Sequence, residues 1–279
     1  MRSLAEFVMK GRRQAILAVV LTGAIPLIYF ISPVIVGLVL LRKGLAEAAL
    51  VLGWALLALA IWTLYPSLSL GQPANLLPFL LLISVTALAA VLRASQSWQL
   101  TVLLAVVVGL VFEAYLRIEP VVVDTLLEQL NQLMLQSNVN QEVSRNELVA
   151  LIATIQTAMT MLLLIWARWL QAMLYNPGGF REEFHGLRIE NKAALPLVLL
   201  LLLSGLGAGL PETWYGYFAM PLMFAGAALV HATVAMKQLS PLWLFAFYLV
   251  LPVIVQFLVL LALVDSWYDF RKQMRGGTV

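Results

Sequence analysis

Glu147-Leu-Val-Ala-Leu-Ile-Ala-Thr-Ile-Gln-Thr-Ala-Met-Thr-Met-Leu-Leu-Leu-Ile-Trp-Ala-Arg-Trp-Leu-Gln-Ala-Met-Leu-Tyr175 runs straight into Asn176-Pro-Gly-Gly-Phe-Arg-Glu-Glu-Phe-His-Gly-Leu-Arg188. The first stretch predicts a helix from Glu147 to about Tyr175. At about 1.5 Å per residue it exceeds the ~30 Å hydrocarbon core of a bilayer, so one end must protrude into headgroups or water. That end carries Trp166, Arg168 and Trp169. Residues turn by about 100° along a helix, which brings Asn146, Ala150, Ala153, Gln156, Thr157, Thr160, Ala167, Arg168 and Gln171 onto one face roughly 120° wide. Lipid offers Gln and Thr no hydrogen bonds, so this face turns toward other helices or a hydrated cavity. Two readings stand. The stripe lines a substrate cavity, or it packs through small residues with its hydroxyls bonded to their own backbone.

Composition sets the class of the rest. Of 279 residues, 62% are hydrophobic and only 11% charged, with a mean hydropathy of +0.95; a soluble domain carries roughly 25% charged residues. The expected fold is all-α: a polytopic transmembrane helical bundle of about eight to ten membrane segments, some short or re-entrant. The chain reads as one integral membrane domain, 1–279. It has a cytoplasmic lead at 1–13, an external amphipathic segment at 118–144, a cytoplasmic elbow at 176–194 and a tail at 267–279. No cleavage site follows the basic lead, so the first apolar run reads as an uncleaved span. There is no cysteine, which removes disulfides, thiolate metal sites and thiol nucleophiles. The basic residues flank spans and form no continuous patch, which speaks against nucleic-acid binding.

The run Gln14–Leu41 is interrupted by Pro26 and Pro33 and predicts two short helices, about 14–28 and 33–41, in a tight or partly re-entrant hairpin. Leu45–Tyr65 crosses outward to a belt of Trp62, Tyr65 and Pro66, and an uncharged loop, Ser67–Asn75, follows. Leu76–Leu92 returns and Leu100–Tyr115 leaves again. Between Val121 and Gln136 the apolar residues Val123, Leu127, Leu130 and Met134 recur opposite Asp124, Glu128, Asn131 and Gln132: an amphipathic helix, lying on the outer interface or capping a cavity. Leu195–Leu210, Phe218–Met236 and Pro241–Val264 complete the set. Excess Lys and Arg predicts a cytoplasmic N-terminus in a bacterial inner membrane, with Arg42, Lys43, Arg93, Arg181, Arg188, Lys192 and Lys237 inside. The tail conflicts with this: a single final span would strand Arg271, Lys272 and Arg275 outside. A hairpin broken at Pro252 keeps them inside and is preferred.

No enzyme signature is present, and the reading is of a non-enzyme without cofactors. Two histidines, His185 and His231, are too few for a histidine-rich metal site. Ionisable groups at membrane depth are costly, which makes Glu113 a candidate, although Arg117 four residues on can pair with it. The candidate substrate-binding set is Glu113, Gln156, Thr157, Thr160 and His231. Asp265 and Asp269 flank Trp267 and read as an interfacial anchor paired with Arg271 or Lys272. Phe180, Arg181, Phe184 and Arg188 form the candidate partner-binding face of the elbow, an amphipathic coupling helix or a solvated turn.

The segments Arg168-Trp-Leu-Gln…Asn176-Pro-Gly-Gly-Phe-Arg-Glu-Glu-Phe184 and Val264-Asp-Ser-Trp-Tyr-Asp-Phe-Arg271 resemble the YybS-like family of bacterial multi-pass membrane proteins. That family is similar in its membrane core to the substrate-binding S components of energy-coupling-factor vitamin transporters and to the rod-shape protein MreD. The resemblance implies a substrate-binding or transport component embedded in the lipid bilayer, with a small-molecule ligand. The alternative is a non-catalytic envelope scaffold that binds a cytoplasmic or membrane protein partner. It implies no catalytic residues. The S components couple through Ala-x-x-x-Ala faces; Ala46–Ala60 supplies several alanines but no long motif of that kind.

Overall fold

The computed structural model describes residues 2–64, 76–137 and 143–276, and side chains up to Ile61 in the first of these and up to Met274 in the last. The side chain of Trp62 with Tyr65 and Pro66 of the belt, the loop with Asn75, nearly all of the linker before Ser144 and the side chain of Arg275 lie outside what is described. What is described is all-helical, with no strand. In order the helices are α1 (Arg2–Lys10), α2 (Arg12–Gly23), α3 (Ile31–Lys43), α4 (Leu45–Leu64), α5 (Leu77–Ser95), α6 (Trp98–Ile118), α7 (Val121–Gln136), α8 (Arg145–Tyr175), α9 (Gly179–Gly186), α10 (Asn191–Gly205), α11 (Tyr215–Met236), α12 (Leu242–Tyr268) and α13 (Phe270–Gly276). Five are long and apolar enough to cross a membrane: α5, α6, α8, α11 with the short turn before it, and α12. The chain is a membrane protein on that ground. It divides into two compact units, residues 1–96 with 107–178, and residues 97–106 with 179–279.

In the first unit the hub is α3. Ser32 to Leu41 are all buried, as a helix apolar on every side must be when it is surrounded by others, and α2, α4, α5 and α8 pack around it. With 13 residues α3 is about 20 Å long, too short to cross alone. The break after α2 falls at residues 24–30 and contains Pro26, while Pro33 sits in the first turn of α3, where its missing N–H costs nothing. Hydroxyls close this hairpin: Thr22 and Ser32 lie 2.7 Å apart, and Ser32 donates to the Val19 carbonyl. Close helix contacts are made through small residues. A β-carbon on Gly23 would meet the Ala58 methyl at 3.0 Å, and one on Gly37 the Ala167 methyl at 3.1 Å, so the alanines of α4 are used within this unit.

The 31-residue α8 is about 46 Å long. It starts at a capping box in which Glu147 N–H donates to the Ser144 hydroxyl and Ser144 N–H donates to the Glu147 carboxylate. Its C-terminal end meets that of α3: Gln171 donates to the Leu41 carbonyl, Arg93 of α5 donates to Leu40 and Leu41, and the Arg42 guanidinium stacks on the Tyr175 ring at 4.0 Å. Cations here complement the negative ends of the helix dipoles. Glu47 pairs with Arg12. At the opposite end Asp124 of α7 pairs with Arg145 at 3.0 Å. The first turn of α7 is buried through Val122 and Val123, while Leu126, Leu133 and Leu135 are exposed.

The second unit corrects one expectation. α12 is a single continuous helix with Pro252 inside it, not a hairpin; neighbouring groups in membrane helices tolerate the lost hydrogen bond. The tail nevertheless stays beside the elbow. The chain reverses at Asp269, whose φ is 47°, and Arg271 donates to the carbonyls of His185 and Leu187. α11 crosses α12 closely at Gly226, where an added β-carbon would lie 2.7 Å from the Leu258 carbonyl oxygen.

Candidate functional site

The sequence-predicted substrate residues fall in both units. In the first, Thr157 and Thr160 are fully buried and face neighbouring helices. Each hydroxyl donates to a carbonyl on its own helix, Thr157 to Ala153 at 2.7 Å and Thr160 to Gln156 at 2.9 Å. That is the packing arrangement of the stripe. Glu113 is also buried, and its Oε1 accepts from both Arg117 Nε at 2.9 Å and Arg117 Nη2 at 2.6 Å. Arg117 also reaches Asn146 on α8 at 3.1 Å. The other carboxylate oxygen, Oε2, has no partner among the described residues.

In the second unit the structure brings His231 together with the elbow. α8 ends at Tyr175 with Asn176 as its cap, and a short turn with Gly178 at a φ of 91°, which other residues rarely adopt, precedes α9. On α9 the aromatic residues four apart share a face, and rings run in sequence from Trp98 to Phe180 (6.1 Å between centroids), Phe184 (5.7 Å), His231 (5.4 Å) and Tyr248 (5.7 Å). His231 Nε2 lies 2.8 Å from the Tyr248 hydroxyl, and the His185 and His231 rings are 6.4 Å apart. A cavity of about 420 Å³ opens beside them, lined by Arg181, His185, His231, Gln238, Pro241 and Leu244 among others. Glu183 of the elbow accepts from the Trp98 indole N–H, and Glu190 N–H donates to Gln99. Arg181 is exposed and makes no hydrogen bond or ion pair among the described residues.

Beneath the cavity lies an ionic cluster. Arg188 donates to the Asp265 and Ser266 carbonyls that end α12, at 2.9 and 2.8 Å, and to the Asp269 carboxylate at 3.0 Å. Arg271 pairs with Asp265, both nearly fully buried, and also reaches the Ala225 carbonyl. Asp265 therefore forms an internal lock, where the sequence suggested an anchor at the membrane surface. Of the four elbow residues expected to meet a partner, Phe180, Phe184 and Arg188 are engaged within this unit and Arg181 is free to bind something else. Burial pushes the His185 imidazole below its usual range, and the nearby charges of Arg181, then His231 and Arg271, push it the same way. Both effects favour the neutral imidazole, whereas the guanidinium of Arg181 stays charged.

The cavity presents one guanidinium without a partner among the described residues, two imidazoles and an amide, against an apolar wall. Among the described residues no three metal-ligating side chains are grouped closely enough to hold an ion. Fold and site together define a multi-pass helical membrane protein with a cationic pocket at one end of its second unit. Comparison with known protein families, with curated proteins and with solved structures gives no match.

Proposed function

We propose that this chain is a substrate-binding component of the transport type, and that its ligand site is the elbow cavity, which takes a molecule bearing an anionic group. The observation that carries this reading is the unpaired Arg181 beside His185 and His231 in a cavity of about 420 Å³. An isolated guanidinium is matched by a carboxylate or phosphate, which it can hold through two parallel hydrogen bonds. In this reading the elbow end faces the cytoplasm of a bacterial inner membrane, the N-terminus is on the same side, and the short helices bring the membrane segments to about nine, within the eight to ten expected from hydropathy. The resemblance to the YybS-like family and to vitamin-binding S components points the same way.

The alternative is a non-transporting scaffold whose elbow binds a cytoplasmic protein. Engagement of Phe180, Phe184 and Arg188 inside the unit removes three of the four residues expected to meet a partner, which favours the ligand reading. Thermal-shift measurements on the purified protein across vitamins and phosphorylated or carboxylated lipid precursors test the proposal. At least one anionic compound should raise the midpoint, and Arg181→Ala should weaken its binding by about tenfold or more. A flat response to every compound, together with a co-purifying cytoplasmic protein lost in Arg181→Ala, would sink the ligand reading in favour of the scaffold.

A further inference from the structure

We infer that the occupant of this site is an anionic lipid, with its head in the elbow cavity and an acyl chain in an adjoining groove. The inference rests on the reading of the elbow cavity as a ligand site and adds the chemical class of the ligand. The second unit has another cavity, of about 540 Å³, and its wall is mainly apolar: Leu229, Val230 and Thr233 of α11, Leu261 of α12, and Phe270 and Met274 of the closing segment, with Gln273 beside them. Both cavities are lined by Val234. Helical geometry accounts for this. With about 100° between successive residues, 229, 230 and 233 lie on one side of position 234, and 231, 235 and 238 on the other, so the two cavities occupy adjacent faces of one helix. The walls opposite α11 are joined as well, because Arg271 at the start of α13 donates to the His185 carbonyl of α9.

An anion held by Arg181 therefore has hydrocarbon-lined space next to it. A small hydrophilic anion would leave that space to solvent or stray lipid. A chain attached to the same head would fill it, and each methylene removed from water strengthens binding about fourfold. The cationic site includes Gln238, just past the C-terminal end of α11, and the apolar groove begins within a turn of it on the adjoining face of the same helix.

The test uses the full-length protein in detergent with three probes: palmitoyl lysophosphatidate, glycerol phosphate and palmitoyl lysophosphatidylcholine. Lysophosphatidate should raise the thermal midpoint at concentrations where the other two do nothing. Arg181→Ala and Leu261→Trp should each weaken that response about tenfold or more without lowering the unliganded midpoint, since both side chains are exposed. Thr233→Phe narrows the same groove and replaces Leu261→Trp if that variant does not fold. An equal response to glycerol phosphate, indifferent to both groove variants, would overturn the lipid inference and leave an anion site in the elbow cavity. An equal response to the zwitterionic lipid would overturn it too, as ordinary solvation of a membrane surface. A lysophosphatidate response untouched by Arg181→Ala, or no response to either anion, would remove the elbow site along with it.

Discussion

Thr22, Thr86, Thr157 and Thr160 of the first unit each return their hydroxyl to a carbonyl four residues back on the same helix, whereas Arg188 and Arg271 of the second reach backbone and carboxylates up to 86 residues away. The first unit also has arginines that bridge helices, among them Arg12, Arg93 and Arg117, but these are exposed. Its interior is held by hydrocarbon and by close contacts at Gly23 and Gly37, spread over many positions. The second unit concentrates its polar bonding in one cluster, around which α9, α11, α12 and the tail converge. A distributed interior loses little at any one residue, and a converging one can lose much at a single position.

The largest expected effect is therefore at Arg271. Arg271→Met removes the cation that neutralises buried Asp265 and leaves the His185 and Leu187 carbonyls without a donor. Breaking a buried pair in this way typically costs about 3–5 kcal/mol, and the thermal midpoint in detergent should fall further than for any single Thr→Val change in the first unit. Arg271→Lys should recover only part of the loss, because an ammonium cannot serve the carboxylate and two separate carbonyls in the guanidinium's fork geometry. A wild-type midpoint for Arg271→Met would show that the cluster does not hold the unit together.

Second in size is Gly226→Ala. Its β-carbon would fall 2.7 Å from the Leu258 carbonyl oxygen and 2.7 Å from Leu258 Cγ, so α11 and α12 must move apart. Overpacking of this kind costs about 1–3 kcal/mol. Gly37→Ala in the first unit meets only the Ala167 methyl, at 3.1 Å, and should cost less. Reversal of that order, read from the two midpoints, would remove the contrast between a yielding and an unyielding interior.

How much of this was legible in the sequence differs by feature. The long apolar helices were, because hydropathy and helical period act together over twenty or more residues; α5, α6, α8 and α11 start and stop within a few residues of where the sequence puts them. The Ser144-Arg-Asn-Glu147 capping box was readable too and moves the start of α8 back from Glu147 to Arg145. Pro252 was misleading: a proline in an apolar helix loses one hydrogen bond and keeps its packing, so it punctuates a membrane segment weakly. The central role of α3 could not be seen, since a short apolar run looks the same whether it faces lipid or four other helices. The ionic cluster was half legible. Asp265 and Arg271 stand six apart, but most of the other groups Arg271 bonds are carbonyls, which carry no side-chain signature. In the elbow cavity, Arg181 and His231 were each singled out for different reasons, and only the fold brings them to one wall across fifty residues of chain.

The smallest effect is expected at Thr157. Valine has nearly the same shape, and the hydroxyl it would replace donates to Ala153, a carbonyl the helix ladder already uses. Removing a hydroxyl without orphaning its acceptor is close to neutral, below about 1 kcal/mol, so the midpoint of Thr157→Val should stay near wild type and any ligand-induced shift should be unchanged. This near-zero result is informative because Thr157 belongs to the stripe that could line a substrate cavity. If Thr157→Val kept its stability but lost the response to ligand, its hydroxyl would be exchanging its backbone bond for a bond to substrate. The first unit would then hold the binding site, and the contrast between a packed unit and a ligand-bearing one would be reversed.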